Sequence, residues 1–351
     1  MGERLLMKGN EAIAEAALRA GCTCYFSYPI TPQTEISHYM AKKMPKMNRT
    51  FVQAESEVAA INMVYGAASA GARVMTSSSS PGISLKQEGI SYASGAELPA
   101  VIVNMMRCGP GLGGILPAQG DYFQAVKGGG HGDYKLVVLA PCSVQELYEL
   151  TVEAFNIADK YRILVMILGD GILGQMMETV EFKDKEDIYN ANKDWAVTGT
   201  EMKREKNMIT SIYINPEDLE KHIIKLQRKY EEIAKNETRV EVFNCEDAEI
   251  ILTAYGSVAR IAKNVIKTAE KEGIKVGLIR PITLWPFPSE EYKKYAETTN
   301  AFLTVEMSTG QMLEDVKLAV NGKKPVHFYG RTGGMVPTEK EILDKIKSIL
   351  A

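Results

Sequence analysis

Short apolar runs alternate with helix-like patterns between residues 8 and 168 of the chain. A helix is predicted from Glu11 to Ala20, because Asn10 can cap its first turn and Gly21 can end it. Two more helices are predicted at Ser56–Ala70 and Ser143–Lys160. Five apolar runs predict strands between the helices: Cys22–Phe26, Val74–Met75, Ala100–Met106, Leu136–Ala140 and Ile163–Leu168. This alternation is typical of an α/β fold with a mainly parallel sheet.

The same alternation returns between residues 248 and 351. The predicted strands are Glu249–Ala254, Lys275–Leu278, Ala301–Val305 and Val326–Phe328, and the predicted helices are Ser257–Lys271, Gln311–Val320 and Thr338–Leu350. We therefore expect two α/β domains, at residues 1–180 and 242–351. The segment between them, residues 181–241, holds 14 acidic and 12 basic side chains and predicts a solvated connector. Its helical pattern runs from Pro216 to about Asn236, with Asn215 as the N-cap.

Charge and cysteine content narrow the class of protein. The 351-residue chain carries 41 Lys and Arg against 44 Asp and Glu, a formal charge of −3, which argues against general nucleic-acid binding. No run approaches the roughly 18 apolar residues of a membrane span, and the first 15 residues lack a signal-peptide layout. Five cysteines without a CxxC spacing fit a reducing cytoplasm and argue against an iron–sulfur cluster held by this chain alone. We expect a cytoplasmic protein that binds neither nucleic acid nor membrane.

Three loops of small and polar residues follow strands of the first predicted sheet: Ser27–Pro32, Ser77–Gly82 and Arg107–Gly114. Because the carboxyl ends of parallel strands lie at one edge of a sheet, these loops predict a single pocket. Arg107 could clamp a carboxylate or phosphate there, or it could be a hydrated surface arginine. Thr31 lies in a stiff turn between two prolines, which fixes the backbone that carries its hydroxyl.

A pair of carboxylates opens the second predicted helix. Glu55 and Glu57 lie at its start, where negative charge complements the positive end of the helix dipole. The rest of that helix is almost free of charge, so a carboxylate there would be largely desolvated and could donate a proton. From the residues alone, the helix-start interpretation is favoured.

Three glycine-rich segments indicate ligand sites only weakly. Gly109–Gly114 is a poor match to a dinucleotide fingerprint, because it does not follow the first strand, and a flexible loop is favoured. Gly169–Gly171 matches a magnesium–diphosphate motif only if asparagines follow, and Asn190 and Asn192 alone lie at a suitable distance, so a strand-end turn is favoured. The third segment, Gly128–Asp133, contains His131. This histidine could be a polar contact of a site, but a structural role is favoured because no second histidine lies near it.

Six motifs follow one another along the chain: Gly9–Ala12, Tyr28–Pro32, Glu55–Glu57, Thr76–Gly82, Arg107–Gly111 and Gly130–Asp133. In this order they resemble the motifs of the α subunits of 2-oxoacid:ferredoxin oxidoreductases. A later stretch, Arg280–Pro288, is similar to the strand-end motif of that family's transketolase-C-terminal-like domain. The resemblance spans nearly the whole chain, is weakest across residues 181–241, and is closest to the branch that oxidises 2-oxoisovalerate.

The resemblance implies a fold, an activity and a set of partners. The first domain would have the pyrimidine-binding fold of thiamine diphosphate enzymes, and the last the transketolase C-terminal-like fold. The activity implied is coenzyme A-dependent oxidative decarboxylation of 2-oxoisovalerate to acyl-CoA and CO2, with ferredoxin as electron acceptor. Mg2+ and the diphosphate motif would belong to a partner β subunit, and the iron–sulfur clusters to a ferredoxin-like subunit beside a γ subunit. The first 130 residues hold only 20 charged side chains, which predicts a surface that another subunit covers.

The resemblance also implies roles for individual residues. Glu57 matches the carboxylate that hydrogen-bonds the pyrimidine ring of the cofactor, and Glu55 is then assigned to the helix cap. Thr31 matches the threonine near the substrate carbonyl, and Arg107 the arginine that pairs with the substrate carboxylate. The remaining cofactor-binding positions are Tyr28, Pro29, Ile30, Ser77, Ser78, Ser79, Ser80 and Gly82. No metal ligand is implied on this chain, and His131 is carried over only as a candidate site-loop residue.

Three alternatives remain open at the level of the sequence. The family also contains 2-oxoglutarate-specific enzymes, although the apolar Ile115 and Leu116 after Arg107 favour an aliphatic substrate. A nicotinamide dehydrogenase would need a GxGxxG motif after the first strand, and none occurs there. A non-catalytic assembly or scaffold subunit would retain the fold but would not need Glu57.

Overall fold

The computed structural model describes residues 3–351, which form fourteen strands and twelve α-helices. The strands are β1 (Arg4–Lys8), β2 (Cys24–Ser27), β3 (Thr50–Gln53), β4 (Val74–Ser78), β5 (Ala100–Met106), β6 (Val137–Leu139), β7 (Leu164–Asp170), β8 (Met177–Glu181), β9 (Val240–Phe243), β10 (Ile250–Thr253), β11 (Val276–Pro281), β12 (Thr283–Trp285), β13 (Ala301–Glu306) and β14 (Val326–Gly330). The helices are α1 (Gly9–Arg19), α2 (Thr34–Lys43), α3 (Glu57–Ser69), α4 (Ser80–Gly95), α5 (Tyr122–Val126), α6 (Val144–Tyr161), α7 (Gly171–Gln175), α8 (Pro216–Glu237), α9 (Gly256–Lys271), α10 (Ser289–Tyr295), α11 (Met312–Val320) and α12 (Glu339–Leu350), with a 3-10 turn at Pro45–Met47. None of these helices has the length and apolar character of a membrane span.

The first domain is built on a seven-stranded sheet with the order β12-β6-β7-β5-β4-β2-β3. All of its strands run parallel except β12, which is antiparallel to β6. Strands β5 and β7 lie near the centre and are buried along their whole length, as expected where helices cover both faces of a parallel sheet. The predicted α/β fold is confirmed.

The second domain is built on a five-stranded sheet with the order β14-β13-β10-β11-β9. Its strands are parallel except β9, which is antiparallel to β11. Two strands connect the parts of the chain: β12 follows β11 but pairs with β6 of the first sheet, and β9 spans the proposed boundary at residue 241. The boundaries at residues 180 and 241 remain proposed divisions of the sequence, and β9 and β12 join in space the parts that they separate.

Buried hydrogen bonds fix the two domains against each other. Gln119 Nε2 donates to Tyr255 O at 2.9 Å, and Gln119 Oε1 accepts from the Met307 N–H at 3.0 Å. Tyr122 Oη donates to Asp315 Oδ2 at 2.6 Å. A buried polar group that loses its partner costs about 1–3 kcal/mol. These contacts therefore hold the first domain in one orientation relative to the second.

Most predicted elements lie within a few residues of their predicted bounds, but the start of the first helix differs. Helix α1 begins at Gly9, so Asn10 lies inside the helix, and the prediction that Asn10 is the cap is wrong. The side chain of Asn10 is fully buried and has other contacts, which are described below. The connector helix is confirmed, since α8 begins at Pro216 and the Asn215 side chain accepts a backbone N–H of its first turn.

Candidate active site

The three loops predicted to share a pocket are in contact. Strands β2, β4 and β5 are neighbours in one parallel sheet, so the segments that follow them emerge at the same edge. Arg107 Nη1 donates to Thr31 O at 3.1 Å, and the Arg107 backbone N–H donates to Ser80 Oγ at 3.0 Å. Ser77 Oγ donates to Gln33 Oε1 at 2.5 Å. The loops therefore form a single polar cluster at the edge of the sheet.

Arg107 is buried within this cluster, with only 9% of its surface exposed. Its guanidinium donates to two backbone carbonyls, Thr31 O and Leu112 O, while Nε has no hydrogen-bond partner within residues 3–351. Burial excludes the alternative of a hydrated surface arginine. A buried cation without a counter-ion carries a large desolvation cost, so the site favours an incoming anion.

The segment Tyr28–Thr31 forms the exposed rim of the cluster. Tyr28 and Thr31 are exposed, whereas Pro29 and Ile30 are half-buried. Because Arg107 holds the carbonyl of Thr31, the backbone that carries the Thr31 hydroxyl is tied directly to the buried cation. A ligand that pairs with the guanidinium can therefore reach this segment.

A run of serines at the end of β4 adds buried hydroxyls. Ser77, Ser78 and Ser79 are fully buried. Ser77 Oγ also bonds to Tyr25 Oη at 2.6 Å, but the hydroxyls of Ser78 and Ser79 lack a hydrogen-bond partner in the described part of the chain. Buried hydroxyls are nearly always paired in folded proteins. These two are therefore free to bind a ligand or an ordered water.

Glu57 presents a free carboxylate to the same cluster. It is the first residue of α3, and Ser56 rather than Glu55 caps that helix, because Ser56 Oγ accepts the Ala59 N–H at 3.1 Å. The assignment of Glu55 to the cap is wrong, and Glu55 is exposed. Glu57 is 6% exposed, and none of the described residues hydrogen-bonds its carboxylate. Glu57 therefore does not cap the helix, although its charge complements the helix dipole as the first residue of α3.

Gly82 brings bare backbone against this carboxylate. A Cβ atom at Gly82 would lie 2.6 Å from Glu57 Oε1 and 2.1 Å from Ser78 Oγ, so any larger residue would clash with both groups. A free carboxylate, unpaired hydroxyls and a bare backbone suit a flat ring with nitrogen donors and acceptors. The residues therefore fit the pyrimidine ring that the sequence resemblance implies.

Lys86 is a buried cation that sequence reasoning missed. It lies one helical turn after Gly82 in α4 and is fully buried. Its Nζ donates to Thr76 Oγ1 at 2.5 Å and to Ser77 O at 3.5 Å. Burial lowers the pKa of Lys86 to about 7, against the opposing attraction of the Glu57 carboxylate. In the sequence, Lys86 follows Gly82 by four residues. This spacing places the two residues on one face only if the segment is a helix, and no helix was predicted there.

The burial of Lys86 predicts a pH-dependent stability. We expect Lys86→Met to raise the free energy of unfolding of the full chain at pH 7 by roughly 1–3 kcal/mol, because it removes the desolvation cost of a buried ammonium group. The lysine pKa falls from 10.5 unfolded to about 7 folded. Between these values the unfolded chain binds more protons, so the wild type gains stability relative to the variant as pH rises. Urea unfolding at pH 7 and 9.5 should show the advantage of the variant shrinking by roughly 2–3 kcal/mol.

The matched control for this experiment is Lys293→Met, because Lys293 is exposed on α10. It should change stability little at either pH. An advantage of Lys86→Met that is the same at pH 7 and 9.5 would contradict the assignment of a lowered pKa to Lys86.

Asp121 is a second side chain that the sequence did not single out. Its Oδ2 accepts from Ser80 Oγ at 2.6 Å and from Asn104 Nδ2 at 2.9 Å. Burial raises the pKa of Asp121, and these two hydrogen bonds oppose the rise. Since Ser80 also bonds to the backbone of Arg107, Asp121 anchors the end of β5 that carries the arginine.

The segment Gly109–Gly114 forms a tight turn beside Arg107. Gly113 has a positive φ of 56°, and a Cβ there would lie 1.9 Å from Cys108 O, so the turn requires glycine. No helix begins in this segment, which argues against the dinucleotide motif. Leu112, Ile115 and Leu116 are exposed, and they place apolar surface next to the buried cation.

The two remaining glycine-rich segments have structural contacts. Asp170 of the Gly169–Gly171 motif caps α7, because Oδ1 accepts the N–H groups of its first turn, and Oδ2 accepts from Ser257 Oγ at 2.7 Å. This is the strand-end turn that the sequence favours. His131 packs edge-on against Tyr92 near the end of α4. The described contacts of His131 do not include Glu57 or Arg107.

Two protein families match most of the chain. Residues 15–242 match the family described as pyruvate flavodoxin/ferredoxin oxidoreductase, thiamine diphosphate-binding. Residues 248–342 match the pyruvate:ferredoxin oxidoreductase core domain II. These two matches divide the chain close to the junction between its two sheets.

Individual relatives agree with the family matches. The chain is 54% identical over 98% of its length to the ketoisovalerate oxidoreductase subunit VorB of Methanothermobacter marburgensis, of which it covers 97%. It is 39% identical over 93% of its length to the 2-oxoglutarate synthase subunit KorA of Archaeoglobus fulgidus, of which it covers 95%. Among solved structures, the 2-oxoglutarate:ferredoxin oxidoreductase from Magnetococcus marinus superposes with a TM-score of 0.91 at 27% identity, over 100% of this chain and 66% of that chain. The chain belongs to the 2-oxoacid:ferredoxin oxidoreductases, as the subunit that carries the thiamine-diphosphate-binding domain of this family.

Proposed function

We propose that the chain acts with partner subunits to decarboxylate 2-oxoisovalerate oxidatively, forming acyl-CoA and CO2 and reducing ferredoxin in the cytoplasm. Two buried groups of the contacting loops carry the proposal: Arg107 and Glu57, neither of which has an ion-pair partner within residues 3–351. The first group suits an anionic substrate, and the second suits a ring nitrogen of a heterocyclic cofactor.

Thiamine diphosphate, when bound, supplies the nucleophilic carbon and the electron sink that decarboxylation of a 2-oxoacid requires. Glu57 would hold the pyrimidine ring and exchange a proton with its nitrogen. Arg107 would bind the substrate carboxylate, and the Thr31 hydroxyl would approach the substrate carbonyl. The cofactor cleft would be lined by Tyr28, Pro29, Ile30, Ser77, Ser78, Ser79, Ser80 and Gly82.

The remaining machinery is assigned to partner subunits. In this proposal a β subunit supplies the diphosphate site and Mg2+, while a ferredoxin-like subunit and a γ subunit complete the electron path through iron–sulfur clusters. Asp170, in the only motif of this chain that resembles a diphosphate–magnesium site, is already engaged by α7 and Ser257. Val58, Leu85 and Tyr92 are exposed on α3 and α4, the helices that also carry Glu57 and Gly82, and the β subunit would cover these side chains.

The aliphatic substrate is favoured over 2-oxoglutarate by the charges of the loops. Arg107 is the only basic residue in the segments 27–33, 77–82 and 107–117. A 2-oxoglutarate enzyme needs a second cation for the distal carboxylate, since an unpaired buried carboxylate is costly. Leu112, Ile115 and Leu116 instead offer apolar contact for a branched side chain. The 54% identity to a ketoisovalerate oxidoreductase subunit supports the same choice.

Initial rates of the complete complex with a low-potential dye as acceptor test this proposal. We expect kcat/KM for 2-oxoisovalerate to exceed that for 2-oxoglutarate by roughly tenfold or more, because only the latter must place a second charge against apolar groups. A preference for 2-oxoglutarate would contradict the substrate and leave the family unchanged. No turnover of either acid, with intact clusters and added thiamine diphosphate, would contradict the enzymatic function and favour the scaffold alternative.

A further inference from the structure

Behind the Thr31–Pro32 turn lies a hydrogen-bonded network that the proposed function does not use. Asn10 Nδ2 donates to Pro32 O at 2.7 Å and to Glu35 Oε2 at 2.9 Å. Gln175 Nε2 donates to the same two acceptors, at 3.1 Å and 2.9 Å. Lys8 Nζ contacts Glu35 Oε1 at 3.1 Å. Two side-chain amides from α1 and α7 therefore converge on one backbone carbonyl of the turn.

The surrounding backbone is shaped to admit Asn10. A Cβ at Gly174 would lie 2.7 Å from Asn10 Oδ1, and a Cβ at Gly9 would lie 2.0 Å from Leu173 O. Both glycines therefore allow α1 and α7 to approach closely, with the fully buried Asn10 side chain between them. This gives a physical reason for the Gly9–Ala12 motif, in which the sequence pattern indicates only a helix cap at Asn10.

Consecutive carbonyls of the turn are thus held by different parts of the molecule. Arg107 Nη1 binds Thr31 O, and Asn10 Nδ2 binds Pro32 O. A turn that is held at Pro32 O presents Thr31 O in a fixed position, and that carbonyl in turn orients the guanidinium. We propose that Asn10 is a positioning residue of the substrate site, which acts through the Thr31–Pro32 turn to orient Arg107.

This inference rests on the proposed function, because it takes Arg107 to bind the carboxylate of the 2-oxoacid. Loss of the positioning contact should weaken an interaction that forms when the substrate binds. The effect is then expected mainly in KM and not in kcat. A hydrogen bond of ordinary strength predicts a rise in KM of roughly tenfold.

The variant that tests the inference is Asn10→Asp, which keeps the size of the side chain and replaces its donor by an acceptor. In the complete complex, KM for 2-oxoisovalerate should rise roughly tenfold while kcat falls less than about threefold. Asn264→Asp is the matched control, because Asn264 also donates to a glutamate, Glu339, but on the surface of the second domain. The control should leave both constants unchanged.

A second substitution separates positioning from stability. The carboxylate introduced at position 10 faces Glu35, so Asn10→Asp should also lower the unfolding temperature. Adding Glu35→Gln removes that repulsion but does not restore a donor to Pro32 O from position 10. The double variant should therefore regain thermal stability while KM stays elevated, and recovery of KM together with stability would overturn the inference.

Chemical labelling supplies a readout that needs no catalysis. Phenylglyoxal modifies accessible guanidinium groups, and peptide mass spectrometry measures the rate at Arg107 in the complex. Asn10→Asp should increase this rate, whereas Asn264→Asp should not. If the wild-type complex oxidises no 2-oxoacid, the proposed function fails while the labelling still tests the positioning. Equal labelling of the wild type and Asn10→Asp would overturn the inference.

Discussion

Replacing Glu57 by glutamine is expected to lower the turnover of the complete complex with 2-oxoisovalerate by a factor of roughly 100 to 10,000. Glutamine preserves the length of the side chain beside Gly82 and Ser78 but cannot exchange a proton with the pyrimidine ring. Positioned acid–base groups typically contribute accelerations of this size. The helix should lose only the interaction of this charge with its dipole, about 0.3–1 kcal/mol, because its cap is Ser56. Initial rates at saturating thiamine diphosphate measure the effect.

The nearest matched control is Glu55→Gln, two residues earlier and exposed. It changes the chain charge by the same amount close to the same helix start and should retain full activity. Binding of thiamine diphosphate to each variant is measured separately by calorimetry, so that a loss of affinity is not taken for a loss of proton transfer. Undiminished turnover of Glu57→Gln at full cofactor occupancy would favour the non-catalytic scaffold interpretation.

The central sheet could be predicted because its strands are buried on both faces. Such strands consist of uninterrupted apolar residues, and Ala100–Met106 is predicted and observed with the same bounds. Edge elements carry weaker patterns. The short strand β12 pairs with β6, and β9 pairs with β11, so neither strand has its partner next to it in the sequence. The local sequence pattern therefore does not predict them.

Helix α4 was missed for a different physical reason. It begins with Ser80, Pro81 and Gly82, residue types that are common in turns, and it alternates small and polar residues. Proline and a small residue are nevertheless acceptable in the first turn of a helix, where backbone N–H groups have no partner. Missing this helix also concealed Lys86, because a lysine without an assigned neighbour is expected in solvent.

The candidate site could be predicted as far as the loops that carry it. Parallel strand order brings the loops after β2, β4 and β5 together, and this contact is observed. The local pattern did not decide whether Arg107 is buried. It also predicted that Asn10 caps a helix, whereas the Asn10 side chain donates to Pro32 O, 22 residues away. Side chains that act through tertiary contacts cannot be assigned from spacing alone.

Removing the guanidinium of Arg107 is expected to raise KM for 2-oxoisovalerate by roughly 100-fold or more. Truncating one partner of a buried, hydrogen-bonded charge pair costs about 2–5 kcal/mol. Nε of Arg107 has no hydrogen-bond partner among the described residues, so the proposed partner of this charge is the substrate carboxylate. Steady-state kinetics of Arg107→Ala in the complete complex measure the effect. Arg107→Lys should recover only part of the loss, because an ammonium group cannot form the paired hydrogen bonds of a guanidinium.

Arg4→Ala provides the control for this experiment, since Arg4 forms an exposed ion pair with Glu181 and neither residue lies in the three loops. It should leave KM unchanged, because exposed pairs contribute little energy. The division of the effect between the two kinetic constants decides the role of Arg107. A large rise in KM places the guanidinium on the substrate carboxylate, whereas a loss confined to kcat at an unchanged KM would contradict that assignment and would indicate that the buried cation acts on the reacting centre instead.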